Sequence, residues 1–185
     1  MKTRVMKEAL LLIQQKGFTF TISELAKNLG TSKRTIYEHF TSKDQIIEFI
    51  IDQLISQIQE KENEIIENTD IELLDKMKQI LCCTPNEFKM MDMRLLSDLK
   101  KHHFHQWEKL DNFLKNEWTA VLKLMEQGIN EGIIRQVNLD LFIELYLGAI
   151  NQIYDPTFSS QNQYTFEEKL QAVMDVLLFG IAHRE

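Results

Sequence analysis

Basic and hydroxyl side chains cluster between residues 33 and 43, and their types suit contact with nucleic acid. Lysine and arginine bind phosphate oxygens, arginine also reads the edge of guanine, and hydroxyl groups can donate to either. The chain has no serine-hydrolase, zinc-protease or nucleotide-binding motif, so we predict neither an enzyme nor a bound cofactor. The candidate DNA contacts are Lys33, Arg34, Thr35, Tyr37, His39 and Lys43.

Two short helices must hold these side chains. Thr21 opens a capping box, and Gly30 allows the backbone to leave the first helix through the left-handed region. Ser32 is a natural cap for the second helix, which is expected to run from Lys33 to Phe40 and to bury Ile36 and Phe40. A helix, a glycine turn and a helix predict a helix-turn-helix, whose second helix enters the major groove.

The segment from Gly17 to Lys43 resembles the DNA-binding segment of TetR-family transcriptional regulators. Arg34 departs from the pattern, because many members carry a small residue there, so the preferred DNA sequence stays open. The alternative interpretation is an αα-hairpin with solvated charges. The matching residues are Gly17, Phe18, Thr21, Leu25, Ala26, Gly30, Ser32, Thr35, Ile36, Tyr37, His39, Phe40, Ser42 and Lys43.

Helical periodicity continues through the rest of the chain, which has few glycines and prolines, so we predict an all-α fold of about nine helices. The resemblance implies an N-terminal three-helix DNA-binding domain, residues 1–45. A C-terminal helical domain for ligand binding and dimerisation, residues 46–185, is expected to follow. The seventh helix is predicted to run without a break from Phe104 to Glu131.

The charge is distributed unevenly along the chain. Residues 1–45 contain eight Lys or Arg and four Asp or Glu, which gives +4, whereas the whole chain carries −7. Residues 46–185 therefore carry −11, and a basic head on an acidic body is typical of a DNA-reading domain joined to one that does not bind DNA. Without a secretory or membrane-spanning segment, the protein is expected to be cytoplasmic.

The last two predicted helices, residues 138–154 and 165–182, have apolar faces that are wide for one side of a small domain. The resemblance implies that they pair across a twofold axis, which would make a homodimer that binds a double-stranded, pseudo-palindromic operator. The alternative is that both faces are buried in a thick monomer core.

The resemblance also implies a small-molecule pocket in the C-terminal domain. Aromatic and methionine side chains suit a deformable apolar cavity for an apolar or aromatic effector; the alternative for each single residue is plain core. A second hypothesis is a helical ligand carrier or sensor that acts through protein contacts without specific DNA binding. The candidate lining residues are Met93, Trp107, Phe113, Trp118 and Tyr146.

A histidine cluster follows the sixth helix. If the helix continues, Asp98, His102 and His105 share one face and could bind a transition metal; the alternative is a solvated helix junction. The adjacent Cys82 and Cys83 are expected to be small buried residues rather than a redox switch.

Overall fold

A computed structural model of the chain describes residues 1–83, 93–154, 164 and 166–181. These residues form α-helices and connecting turns without a β-strand, which confirms the predicted all-α class. None of the helices in this part of the chain is long and apolar enough to span a membrane. The helices are α1 (Lys2–Lys16), α2 (Ile22–Asn28), α3 (Lys33–Tyr37), α4 (Lys43–Glu67), α5 (Leu73–Leu81), α6 (Met93–His102), α7 (Phe104–Asn116), α8 (Thr119–Asn130), α9 (Leu139–Tyr154) and α10 (Phe166–Ile181).

The first of two compact units comprises residues 1–56 and 86–114. Its buried side chains come from α1, the helix-turn-helix and the first half of α4, and also from α6 and α7, where Leu99 and Leu110 are almost fully buried. Leu95 on α6 lies near Gly17, at the end of α1. The predicted boundary between residues 45 and 46 separates DNA binding from ligand binding and dimerisation. It does not describe compactness, and it stays a prediction.

The second unit comprises residues 57–85 and 115–185. Helices α5, α8, α9 and α10 pack around one apolar cluster. Met77, Met125 and Met174 are completely buried within it, and Ile134 joins them from the segment after α8. Among the described residues, no other polar or charged side chain accompanies the buried Trp118 and Tyr146 of this cluster.

The prediction of one continuous helix from Phe104 to Glu131 is wrong. α7 ends at Asn116 and α8 begins at Thr119, with Trp118 at a non-helical φ of −97° and ψ of 0°. The apolar stripe in this stretch belongs to two helices with different cores. Leu110 is buried in the first unit, whereas Val121 and its neighbours on α8 are buried in the second.

A tight turn after α8 folds the chain back over its own helix. Gly132 adopts a φ of +73°, which favours glycine, and Ile134 then lies against Gly128. A Cβ at Gly128 would lie 2.7 Å from Ile134 Cδ1 and 2.9 Å from Leu73 Cδ2. Gly128 is therefore a close-packing glycine inside the second unit.

We predict that Gly128→Ala lowers the free energy of unfolding by about 1–3 kcal/mol, because the added methyl overfills a closed core. Urea denaturation followed by circular dichroism would measure the change. Ile134→Val removes the atom nearest the new methyl, so the double variant should lose less stability than the sum of the two single changes. A strictly additive double variant would contradict the proposed crowding.

Candidate nucleic-acid interface

The capping box predicted at Thr21 is present and sets the start of α2. Glu24 N donates to Thr21 Oγ1 at 3.2 Å, and Thr21 N donates to Glu24 Oε2 at 2.9 Å. Lys16 Nζ lies 2.6 Å from Glu24 Oε1, and this hydrogen bond, together with those from Thr21, lowers the pKa of Glu24 to about 2. The carboxylate thus joins the end of α1 to the start of α2.

The glycine turn and the cap of the second helix are present as the sequence predicts. Gly30 has a φ of +63°, and Ser32 Oγ accepts a hydrogen bond from Thr35 N at 3.1 Å. α3 ends at Tyr37, three residues earlier than predicted, although the chain continues in turns to Phe40. Ile36 is fully buried and Phe40 nearly so, which anchors this short helix to the core of the first unit.

The exposed side of α3 presents most of the predicted DNA contacts. The Arg34 side chain is 91% exposed, and Lys33, Tyr37 and His39 are also exposed. Thr35 is half-buried, and its hydroxyl lies 2.9 Å from Ser32 Oγ. α3 therefore offers one arginine, one lysine and one phenol to an outside partner.

Glu38 is a neighbour of this surface that the sequence reasoning passed over. Its Oε1 lies 3.6 Å from Arg34 Nε across one helical turn, and both side chains are mostly exposed. The i,i+4 spacing of opposite charges could have indicated the pair. Because the pair is exposed, it contributes little to stability, but it places an acid beside the arginine.

Lys43 differs from the other predicted DNA contacts because its amine turns inward. Lys43 Nζ donates to the Phe18 carbonyl and lies 4.5 Å from the centroid of the Phe20 ring. Burial lowers the pKa of this half-buried amine. The sequence predicts Lys43 as a DNA contact; in the structure its amine has partners within the chain.

The junction between α6 and α7 contacts the same end of α4. His103 Nδ1 lies 2.8 Å from Asp44 Oδ1, and the His103 ring packs against Phe18 with centroids 5.2 Å apart. Burial lowers the pKa of His103, and the hydrogen bond to Asp44 opposes that shift. The sequence pattern predicted roles for the two other histidines of this cluster, His102 and His105, and not for His103.

The proposed metal ligands depended on a helix that continues past residue 102. Because α6 ends at His102 and α7 starts at Phe104, that condition is not met. Within residues 1–83, 93–154, 164 and 166–181, no three His, Cys, Asp or Glu side chains are placed to hold a metal ion. Burial raises the pKa of the Cys82 thiol to about 11, which keeps it in the unreactive protonated form.

The predicted ligand-binding residues fall into two groups. Trp118 and Tyr146 meet in the second unit, edge to face, with ring centroids 5.3 Å apart and an interplanar angle of 83°. Trp107 and Phe113 belong to the first unit, and the side chain of Met93 lies outside the described residues. The structure therefore brings two of the five residues together.

A surface groove of about 520 Å³ lies elsewhere in the second unit. It is lined by residues of α5 and α8 and of the segments beside them, including Leu73, Leu124 and Gln127. The four predicted ligand-binding residues whose side chains are described, Trp107, Phe113, Trp118 and Tyr146, do not line this groove.

Comparisons with known proteins place these features in a family. The model of the family described as "Bacterial regulatory proteins, tetR family" matches residues 5–50. The HTH-type transcriptional regulator YvaF of Bacillus subtilis (strain 168) is 43% identical over 185 residues, covering 100% of this chain and 97% of its own length.

Two solved structures share the fold at low sequence identity. The TetR family regulator PfmR from Thermus thermophilus has a TM-score of 0.71 at 21% identity, covering 97% of this chain and 100% of its own. The regulator FadR from Bacillus subtilis, in complex with stearoyl-CoA, has a TM-score of 0.69 at 19% identity, covering 97% and 98%. With a relative 43% identical along its whole length, the chain belongs to the TetR family and is a DNA-binding transcriptional regulator.

Proposed function

We propose that the protein is a repressor that binds a pseudo-palindromic operator as a homodimer and is released by an apolar small-molecule effector. The observation that supports it best is the exposed face of α3, where Arg34, Lys33 and Tyr37 project from a helix anchored by Ile36 and Phe40. An effector acts by binding more tightly to the form that does not fit DNA. A regulator of this kind works in the cytoplasm, where the bacterial chromosome lies.

We assign different DNA contacts to different residues. Arg34, which is almost fully exposed, is suited to reading a base edge in the major groove. Lys33 and Tyr37 are suited to phosphate contacts that fix position without selecting sequence. His39 is exposed beside them, and Thr35 remains a candidate through its hydroxyl. Lys43 would have to leave the Phe18 carbonyl to reach a phosphate.

The homodimer is supported by apolar side chains that the protomer leaves uncovered on α9 and α10. Leu141 and Leu145 are 51% and 54% exposed on α9, and Val176 and Phe179 are 74% and 77% exposed on α10. The two helices pack on each other. Large exposed apolar side chains at one-turn spacing on two packed helices are typical of a protein interface.

An apolar effector is supported by the interior of the second unit. Aromatic and methionine side chains contribute to it, and methionines can repack around an apolar guest. The FadR structure, which has a similar fold, contains stearoyl-CoA. A long-chain acyl thioester is therefore the first effector to test.

Fluorescence anisotropy with DNA that flanks the gene for this protein would test operator binding. We expect specific binding whose affinity falls by about 10³-fold or more between 50 and 200 mM salt, as for a protein that neutralises six or more phosphates. Adding stearoyl-CoA should release the protein from the DNA. DNA of the same composition in shuffled order is the control; equal affinity for both DNAs would contradict specific operator recognition.

Arg34→Ala should change which sequence is preferred, because one good arginine–guanine contact discriminates by about 1–3 kcal/mol. Lys33→Ala, one residue away, should weaken binding to all sequences alike. It should also reduce the slope of the logarithm of the affinity against the logarithm of salt concentration by about 1, as expected for the loss of one phosphate contact. Selection from a randomised operator library would compare the two variants with the parent. An unchanged preference in Arg34→Ala would remove the base-reading role.

Val176→Glu combined with Phe179→Glu should convert the dimer to a monomer, since carboxylates cannot be buried unpaired in an apolar interface without a large penalty. Light scattering coupled to gel filtration would measure the mass. Leu11→Glu is the matched control, because Leu11 is a 49% exposed apolar residue on α1. A double variant that keeps twice the protomer mass would contradict this interface.

A further inference from the structure

The indole of Trp118 occupies an unusual position in the second unit. The residue lies directly before α8, has a non-helical backbone and is only 8% exposed. Its ring packs edge to face with Tyr146. Both aromatic rings therefore belong to the buried cluster that α5, α8, α9 and α10 enclose.

The Tyr146 hydroxyl and the Trp118 indole N–H differ in their hydrogen bonding. Tyr146 OH donates to the Leu81 carbonyl at 2.6 Å. Trp118 Nε1 is buried, and no hydrogen-bond acceptor among the described residues lies within its reach. Buried indole N–H groups usually have a partner, because an unmet donor in the interior is destabilising. Within the part of the chain that the structure describes, the Trp118 indole is thus a buried donor without an acceptor.

The surroundings of Trp118 indicate what kind of acceptor would fit. Met77, Met125 and Met174 are completely buried in the same cluster, and flexible methionine side chains adapt to irregular apolar shapes. Among the described residues, no charged side chain is buried there, so an ionised ligand group would find no counter-ion. The buried part of a ligand must therefore be apolar apart from its acceptor atom.

Nearby carboxylates add a second argument against an anionic acceptor. Glu117 directly precedes Trp118 in the chain, and it lies close enough to Glu62 to act on it. Burial raises the pKa of Glu62, and the negative charge of Glu117 raises it further. A free carboxylate entering beside these acids would be repelled, whereas a neutral carbonyl oxygen would not.

We infer that the indole N–H of Trp118 donates a hydrogen bond to an uncharged carbonyl oxygen, of the ester, amide or thioester type, carried by the apolar part of the effector. This inference rests on the proposed effector site in the second unit. The hydrogen bond from Trp118 would then fix the position of an otherwise apolar ligand in its site. Binding would satisfy the donor that the described residues leave unmet.

Two probes that differ only in this carbonyl test the inference. Stearoyl-CoA is a thioester, and S-octadecyl-CoA is the thioether that lacks the carbonyl oxygen. Calorimetric titration of the full-length protein should show that Trp118→Phe binds the thioester about 3- to 10-fold more weakly, the contribution of one neutral hydrogen bond. The same variant should bind the thioether as the parent does, which also shows that it is folded.

Phe104→Leu is the control for ligand binding, because Phe104 is a 60% exposed aromatic residue of the first unit. It should bind both probes as the parent does. Trp107→Phe serves only the spectrum: Trp107 is the only other tryptophan in the chain, so this variant leaves a single indole resonance in a ¹⁵N–¹H spectrum. That resonance, from Trp118, should move downfield with the thioester and stay in place with the thioether.

Three results would overturn the inference. Trp118→Phe could weaken both probes equally, which would indicate a packing role, or it could weaken neither. Binding of neither probe to the parent protein would overturn it as well. The operator measurement is independent: a protein that fails to bind DNA but shows the selective loss would contradict the proposed function and support the role of Trp118.

Discussion

The burial of Ile36 and Phe40 is the interaction on which the proposed DNA contacts of α3 depend. A helix of five residues has too few internal hydrogen bonds to persist by itself, so its direction must come from packing. With Ile36 fully buried, the helical period turns Arg34 and Tyr37 toward solvent. The same apolar contact that completes the core of the first unit therefore also orients the proposed DNA-contacting face of α3.

Local chemistry explains which features the sequence could predict. The caps at Thr21, Ser32 and Asn138 join atoms three residues apart, so the residue types alone indicate them. Lys43 finds its carbonyl partner 25 positions earlier, and His103 finds Asp44 59 positions away. Such pairs depend on how helices pack, which a single sequence does not reveal. The break at Trp118 also depends on long-range packing. The apolar residues before it are buried in the first unit and those after it in the second, but in the sequence they form one continuous helical pattern.

The charges along α4 show a second effect of long-range packing. Asp44, Glu48 and Asp52 recur every four residues, a spacing at which like charges repel. Lys109 on α7 forms ion pairs with Glu48 and Asp52, and His103 bonds to Asp44. Counted by compact unit, residues 1–56 and 86–114 carry +2 and the remainder −9, so the contrast between a basic and an acidic part persists.

The packing of α6 and the start of α7 against the N-terminal helices, within the first unit, limits how segments of this protein can be exchanged with those of its relatives. The helix-turn-helix looks like a module that could be cut at residue 45 and joined to another body. Phe18 and Asp44, however, both contact His103, and Leu95 lies near Gly17. A cut at residue 45 would separate these partners and expose apolar surface on both pieces. A chimera that keeps these contacts must therefore transplant two separate segments of sequence. If the proposed DNA contacts are correct, changing only the exposed face of α3 avoids the cut.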